Sequence, residues 1–290
     1  MDDFIGQFQK VTVFIVAVVF FTFWVLEPRF ALRQPKRSRM ERLMVNAVLS
    51  ALALGTGDVV IVPLVFQLMT WSAKNGFGLL HLFNLWTPLE PIMGFLLMDL
   101  SFYYWHRVNH AFPFFWRFHN VHHVDPDLDV STSFRFHFGE VFYSSAFRSL
   151  QILLLGISPL NYVVYELGFQ CATVFHHSNL RLPIGVERWL NMIIVTPRMH
   201  GIHHSAVREE TDSNFSVIFR WWDWVHGTLR LNIKQAEVVI GVPAYLQPED
   251  NRIVSLLVLP FRKQREHWRL PDGTEPRRVP AASAQTILSA

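Results

Sequence analysis

The feature that most constrains this chain is a series of long apolar segments separated by short polar turns. The first, residues 11–26, has only Thr12 and Thr22 as mild exceptions, and it approaches the length that crosses a bilayer as a helix. Hydrophobic residues make up 51% of the 290 residues and charged residues only 17%, against about 25% charged in an average soluble domain. An ordinary soluble enzyme is therefore excluded, and an all-α integral membrane protein is predicted.

The charges that flank residues 11–26 predict the orientation of this helix. Asp2, Asp3 and Lys10 precede it, whereas six basic residues follow within 29–42. Basic residues collect on the cytoplasmic side of membrane helices, and a cleaved signal peptide would have the opposite charge order. We expect a first transmembrane helix at 11–26, followed by a cytoplasmic loop.

Four further apolar segments complete the predicted membrane part. Residues 43–70, which contain Gly and Pro, form either one kinked crossing, which we favour, or a re-entrant pair. Residues 79–105 return the chain to the cytoplasm, with a helix-start signal in their prolines. Residues 141–155 and 161–175 are typical of a helical hairpin. The sequence therefore predicts about four to five transmembrane or membrane-embedded helices.

The remaining sequence completes a single integral membrane domain over 1–290. A histidine-rich catalytic region, residues 96–228, forms a cap on the cytoplasmic side of the predicted helices. The tail from 262 to 290 is rich in Arg and Pro, and we expect it to be partly disordered. Localisation in the membrane is thus predicted to be multi-pass, with the active site facing the cytoplasm.

Composition excludes several classes of protein. The formal net charge of +3 comes from 26 basic and 23 acidic residues, a mixture unlike that of a nucleic-acid-binding protein. Cys171 is the single cysteine, so an internal disulfide, a cysteine zinc site and an iron–sulfur cluster are excluded. The unusual component is 14 histidines in so apolar a chain, because each buried imidazole needs a polar partner.

Eight of the histidines fall into three groups at helical spacing. Residues three and four apart on a helix lie on one face, so two or three imidazoles of each group can converge on one metal or on a close pair. A single histidine pair is more often packed or solvated than a ligand set, but three recurrences make coincidence a poor explanation. The groups are His106 with His110, then His119 with His122 and His123, then His200 with His203 and His204.

Ligand chemistry narrows the choice of metal. Imidazoles without thiolates suit iron, copper, nickel or zinc and disfavour magnesium and calcium. Eight ligands are too many for one ion, so two are implied, and a carboxylate is expected to hydrogen-bond a ligating ring. Asp99 lies two helical turns before His106 in an otherwise apolar helix, where an acidic residue is functional by default. The alternative for Asp99 is an ion pair with Arg107 or another basic group.

At this point the sequence resembles the membrane sterol desaturase and fatty acid hydroxylase superfamily. The resemblance covers about residues 96–228 and rests on several motifs together, which makes it highly specific. The motifs are Asp99 with 104–110, 119–123, 135–137 with Glu140, 175–179, 196–205, 212–215, 222–223 and 227–228.

This resemblance implies a non-haem di-iron centre that uses dioxygen to hydroxylate or desaturate a sterol-like or fatty-acyl lipid. It adds Glu140 to Asp99 as a second catalytic carboxylate, although a surface ion pair is an open alternative for Glu140. The roles of His137 and His176 stay open, and His226 is not counted as a ligand. The implied metal ligands are His106, His110, His119, His122, His123, His176, His177, His200, His203 and His204.

Electrons must come from a partner, because the sequence has no flavin or nicotinamide motif. We expect a cytochrome, a ferredoxin or a reductase. The basic residues of 29–42 and 262–269 either dock such a donor or set topology and contact anionic lipid. The aromatic residues of 112–118 either admit a lipid from the bilayer or anchor the chain at the interface.

One function from another class remains open. A membrane metal transporter or metal-binding protein also uses histidines, but it needs ionisable ligands along a path through the bilayer rather than at one surface. A zinc hydrolase is weaker still, because neither a His-Glu-x-x-His nor a Gly-x-Ser-x-Gly motif is present.

Overall fold

A computed structural model of the chain describes residues 2–83 and 89–278. These residues form helices and short turns without an extended strand, which confirms the predicted all-α class. The helices are α1 (Asp2–Leu26), α2 (Arg39–Thr56), α3 (Val62–Asn75), α4 (Leu79–Leu82), α5 (Leu89–Ala111), α6 (Pro113–His123), α7 (Phe138–Leu155), α8 (Pro159–His177), α9 (Ile184–Leu190), α10 (Pro197–His203), α11 (Arg208–Thr211), α12 (Trp221–Val225) and α13 (Ile253–Val258).

The predicted apolar segments coincide with the long helices. Residues 43–70 lie on one helical path, because a π-helical turn, Gly57–Ile61, joins α2 directly to α3. A re-entrant pair is therefore wrong for this segment. Residues 79–82 belong to α4 and residues 89–105 to α5, and the part of the predicted start signal at 84–88 lies outside the described residues.

The predicted hairpin is formed by α7 and α8. Gly156 ends α7 in the left-handed conformation with φ 73°, which glycine adopts without a steric penalty. Ser158 then caps α8 by accepting a hydrogen bond from the Asn161 N–H, and Pro159 occupies the first turn, where a missing N–H costs nothing.

One helical stretch of the described residues, Arg39–Leu82, is long and apolar enough to cross a bilayer, and Lys10–Leu26 is a shorter apolar helix. The outward faces of both are apolar, as Phe14 on α1 and Leu54 on α2 illustrate. The larger number of crossings stays a prediction.

Two apolar cores hold the helices together. The first joins α3, α5, α7 and α8 through fully buried side chains such as Met69, Met98 and Ile152. The second packs α6 against α2 and α13 around Trp116 and Leu256. Each such side chain contributes about 1.5–3 kcal/mol through burial, so the cores fix the positions from which the histidines project.

A buried polar network ties the start of α2 to the loop that follows α6. Arg42 forms a bidentate ion pair with Asp125, at 2.8 Å for both contacts, and also contacts Asp129. Burial opposes ionisation of Asp125, yet Arg42 and Arg135 hold the pKa of this carboxyl at about 2. The network therefore anchors the chain directly after His123.

Three of the six basic residues of 29–42 have partners inside the molecule. Arg33 donates to Gln235 Oε1 at 2.6 Å, and Arg39 lies 2.9 Å from Glu27 Oε2. With Arg42 in the network above, these contacts give the segment a structural role beside the predicted ones of donor docking and lipid contact.

Part of the predicted disordered tail is ordered against the catalytic region. The Trp268 ring stacks on Trp116 at a centroid distance of 5.7 Å, and Arg278 forms a bidentate pair with Glu210 at 2.9 Å. These contacts fix residues 268 and 278 against the catalytic region, while most of 262–278 stays exposed. Residues 279–290 lie outside the described residues.

Candidate metal centre

The histidine groups lie at the C-terminal ends of four helices that converge on one point. The last turn of α5 carries one histidine, and the last turns of α6, α8 and α10 carry two each. Helix C-termini bear partial negative charge from their free carbonyl groups, which favours a nearby cation. The convergence therefore gathers ligands and a favourable field in the same place.

The first group of side chains, which we call cluster I, contains five histidines. Each offers one ring nitrogen, and these nitrogens lie within 4.8 Å of one another. The Nε2 atoms of His119, His123 and His203 are buried without a hydrogen-bond partner, a costly condition that a metal ion would relieve. Cluster I consists of His106, His110, His119, His123 and His203.

The second group, cluster II, contains four buried histidines whose ring nitrogens also lie within 4.8 Å of one another. The Nε2 atom of His177 is 3.0 Å from that of His122 and 3.0 Å from that of His200, and His204 Nε2 is 3.1 Å from His200 Nε2. Nitrogens at such spacing suit bonds of about 2.1 Å to a shared ion. Cluster II consists of His122, His177, His200 and His204.

Main-chain carbonyl groups orient many of the rings. His106 Nδ1 lies 2.8 Å from Phe215 O, and His203 Nδ1 lies 2.8 Å from Ser213 O. A ring that donates from Nδ1 presents the lone pair of Nε2 to the cluster. The segment 213–215 therefore sets the tautomers of two rings of cluster I.

Glu140 supplies a carboxylate at the edge of cluster I. Its Oε1 atom lies 2.8 Å from His119 Nδ1, and the side chain is buried in the first turn of α7. The open alternative of a surface ion pair is therefore wrong, because Glu140 is buried against a histidine of the cluster. A carboxylate on the outer nitrogen raises the basicity of the ligating one.

Asp99 lies away from the histidines. Its Oδ2 atom accepts from Trp222 Nε1 at 2.7 Å and from the Phe219 N–H at 3.1 Å, so neither a histidine nor Arg107 is its partner. Two turns of α5 separate Asp99 from His106 by about 10 Å, and at that level the helix faces residues 219–222. Asp99 therefore fixes this segment rather than a ligand.

Five of the 14 histidines lie outside both clusters, and three of them were weighed as ligands from the sequence. His176 Nδ1 is 3.1 Å from Val217 O, and its ring centroid lies 4.1 Å from that of His200, although its nitrogens belong to neither cluster. His137 caps α7 by accepting from the Gly139 N–H at 2.9 Å. His226 contacts the Tyr104 hydroxyl at 2.6 Å, in agreement with its exclusion as a ligand.

The protonation state of the clustered imidazoles suits the binding of a metal cation. Burial lowers the pKa of His123, His203 and His204 well below the ordinary value, and neighbouring histidines add to the effect. The rings are therefore neutral near pH 7, the form in which imidazole binds a metal.

A cavity of about 320 Å³ leads from the clusters into the helical bundle. His106 and His119 of cluster I and His122, His177 and His200 of cluster II reach its wall. Most of the remaining lining is apolar, from α2, the π-helical turn, α5, α7 and α8. An apolar cavity that ends on metal ligands fits a hydrocarbon chain.

Sequence reasoning missed two charged side chains in this cavity, Arg148 and Glu166. The available signal was their position, because each interrupts an apolar segment of the predicted hairpin, where an ionisable residue is unusual.

The fold and site define a helical protein with a buried all-histidine centre that could hold two metal ions beside an apolar cavity. Residues 91–228 match the model of the fatty acid hydroxylase family. The chain is 30% identical over 155 residues to an ornithine lipid hydroxylase of Rhizobium tropici, which covers 53% of this chain and 45% of that relative.

Two human proteins are similar over the same region. Alkylglycerol monooxygenase is 32% identical over 165 residues, which cover 56% of this chain and 35% of that relative. Cholesterol 25-hydroxylase is 29% identical over 141 residues, which cover 47% of this chain and 49% of that relative. The matches thus span less than half the length of each of these three relatives, and no solved structure matches the chain.

These matches confirm the resemblance. Residues 91–228 are thus similar to the fatty acid hydroxylase family within the sterol desaturase and fatty acid hydroxylase superfamily, and the relatives that match are named as hydroxylases and a monooxygenase.

Proposed function

We propose that this protein is an integral membrane oxygenase that hydroxylates a lipid with dioxygen, two iron ions and electrons from a separate donor. The observation that carries the proposal is the meeting of clusters I and II at the inner end of one apolar cavity. A metal relay would instead spread its ligands along a path through the membrane.

The residues present fit two metal ions. Nine imidazoles in two groups, five and four, provide a separate set of donors for each ion. Imidazole suits iron as well as copper, nickel and zinc, and the family resemblance implies iron. Bound iron would supply the electrons that activate dioxygen, with the clustered histidines as ligands.

The protein's own groups position the rings and exclude water. Glu140 and the carbonyl groups of Phe215 and Ser213 orient ligating rings from outside the clusters. The buried position of the clusters keeps bulk water from the reactive end of the cavity, which protects an oxidising centre from side reactions.

The overall reaction converts one C–H bond of the lipid to C–O–H. Dioxygen contributes one oxygen atom to the product and one to water, and the balance requires two electrons and two protons. An external donor such as a cytochrome, a ferredoxin or a reductase must supply the electrons. Desaturation would use the same oxidant and electrons but remove two hydrogens from the lipid.

Labelled dioxygen tests the proposal. Lipid extracts of cells that express the chain are compared by mass spectrometry under ordinary and isotopically heavy dioxygen. We expect a lipid that gains one oxygen atom, and the label must appear in it. His122→Ala and His203→Ala, one from each cluster, should abolish the product, whereas His226→Ala should retain it.

The proposal is contradicted if no lipid gains oxygen or loses two hydrogens, or if both cluster variants keep full turnover. A lipid that loses two hydrogens without taking up label would keep the oxygenase centre but replace hydroxylation by desaturation.

A further inference from the structure

An ion pair lies in the wall of the cavity, away from both clusters. Arg148 extends from α7 and Glu166 from α8, and Arg148 Nη2 lies 2.8 Å from Glu166 Oε1. At 1.5 Å per residue, Arg148 is about 12 Å along α7 from Glu140, and Glu166 is about 16 Å along α8 from His177. The pair therefore marks the end of the cavity opposite the metal ligands.

The guanidinium group of Arg148 is already engaged. Its Nη1 donates to Gln151 Oε1 at 2.7 Å, its Nη2 faces Glu166, and the rings of Phe102 and Tyr162 lie within 6 Å of its central carbon. Its side chain is 11% exposed. Arg148 thus has little capacity left for a ligand.

Glu166 keeps free acceptor capacity. A carboxylate has about four lone-pair sites, and the Glu166 side chain is 21% exposed where it lines the cavity. The pair as a whole therefore offers the cavity an acceptor rather than a donor.

Other polar side chains lie next to Glu166 in the cavity wall. Gln170 and Thr173 lie four and seven residues beyond Glu166, on the same face of α8, and both line the cavity. Thr173 is buried and its Oγ1 has no hydrogen-bond partner. Glu166, Gln170 and Thr173 therefore form one polar face of α8 in the cavity wall.

The geometry points to a binding site for the hydroxyl group of an uncharged lipid at Glu166 and Gln170, from which fatty acid anions are excluded. A hydroxyl group donates to the Glu166 carboxylate and accepts from the Gln170 amide. An anionic headgroup would face the Glu166 carboxylate in a low-dielectric cavity, where repulsion between like charges is strong. The inference rests on the proposed function, because it holds the hydroxyl roughly 12 to 16 Å from the carbon to be oxidised.

Competition binding tests the site without turnover. The purified full chain in detergent binds tritiated 1-hexadecanol, which is displaced by unlabelled 1-hexadecanol, hexadecanoate or hexadecane. We expect 1-hexadecanol to bind at least about tenfold more tightly than either competitor, as for a hydrogen bond to a charged group.

A double variant tests the assignment to these residues. Arg148→Met with Glu166→Leu replaces a buried ion pair by apolar side chains of similar size, a change that commonly preserves folding. Its preference for 1-hexadecanol over hexadecane should fall to about twofold or less. The matched control, Arg252→Met with Glu249→Leu, removes an exposed ion pair and should keep the preference.

Two results overturn the site. In the first, unlabelled hexadecanoate or hexadecane displaces tritiated 1-hexadecanol from the unaltered chain as effectively as unlabelled 1-hexadecanol does. This comparison does not depend on the folding of a variant. The other is a folded double variant with undiminished preference. If the chain binds 1-hexadecanol selectively but oxidises no lipid, the binding site is supported and the proposed oxygenase is contradicted. If the chain oxidises lipid but does not bind 1-hexadecanol selectively, the oxygenase is supported and the binding site is contradicted.

Discussion

Glu140 Oε1 lies 2.8 Å from His119 Nδ1, and this contact joins the first turn of α7 to cluster I. A second carboxylate, Asp212, lies farther from the cluster, with its Oδ1 atom 3.8 Å from His110 Nδ1. Because α7 also carries Arg148 in the cavity wall, the same helix positions a ligand at one end and the proposed lipid site further along.

Replacing Glu140 by Gln should weaken metal binding. Gln can still accept from the ring N–H but has no charge, and loss of such an outer partner typically costs 10–100-fold in metal affinity or activity. Metal release to a chelator series, followed by elemental analysis, measures the effect. The control Glu249→Gln alters an exposed residue; equal affinity of the Glu140 variant and this control would show that the contact is dispensable.

Asp99 should prove important for folding rather than for metal content. Asp99→Ala leaves the half-buried N–H groups of Trp222 and Phe219 without their acceptor, at a cost of up to about 1–3 kcal/mol each. Asp99→Asn keeps an acceptor oxygen and should lose less. Thermal unfolding in detergent ranks the three proteins, and metal content per folded chain should stay constant. A metal-free but stable Asp99→Asn protein would assign Asp99 to the centre instead.

The positions of Asp99 and Glu140 show how far the sequence could be interpreted. Helical spacing and composition correctly predicted an all-α chain, and nine of the ten predicted ligands lie in the two clusters. The choice between the two carboxylates depended on tertiary packing. Asp99 shares a helix with His106, whereas Glu140 reaches His119 from a different helix.

The sequence also could not predict which histidines belong to cluster I and which to cluster II. His122 and His123 are adjacent, yet they belong to different clusters, because neighbouring helical side chains project in different directions. The pair Arg148 and Glu166 was hidden for a similar reason: each is a lone charge in an apolar segment, and only the packing of α7 on α8 joins them.

A tight turn contact should limit substitution at Gly78. Its φ of +118° is unfavourable for other residues, and a Cβ atom there would lie 2.4 Å from the Cα of Gly156, which ends α7. Gly78→Ala is expected to lower the free energy of unfolding by roughly 2–5 kcal/mol, from backbone strain and overpacking together.

Gly76 in the same turn is the matched control. It also has a positive φ, of 59°, but a Cβ atom there meets nothing within 4 Å, so Gly76→Ala should cost only about 1–2 kcal/mol. Thermal unfolding compares the two variants. Equal losses would show that the approach of Gly78 to Gly156 does not contribute.

Glu27 should make stability depend on pH. Burial and the nearby Asp129 raise the pKa of Glu27 to about 7, against the opposing effect of the Asn179 and Val130 N–H groups and Arg39. The folded state therefore holds a proton that the unfolded state releases near pH 4.5, and stability falls as the pH rises from about 4.5 to 7. The fall attributable to Glu27 is about 3 kcal/mol.

Glu27→Gln removes this titration. The variant's unfolding temperature, measured from pH 5 to 8, should decline less than that of the unaltered chain. Parallel declines in the two proteins would place the pH dependence in another group.

The most direct test of the account is the metal content of the purified full chain after iron-replete expression, measured by elemental analysis. Two clusters of imidazoles predict about two iron ions per chain, and His203→Ala, which removes a ligand of cluster I alone, should retain about one. A single zinc ion without iron, or an iron content unchanged by His203→Ala, would contradict a two-iron centre built from these histidines.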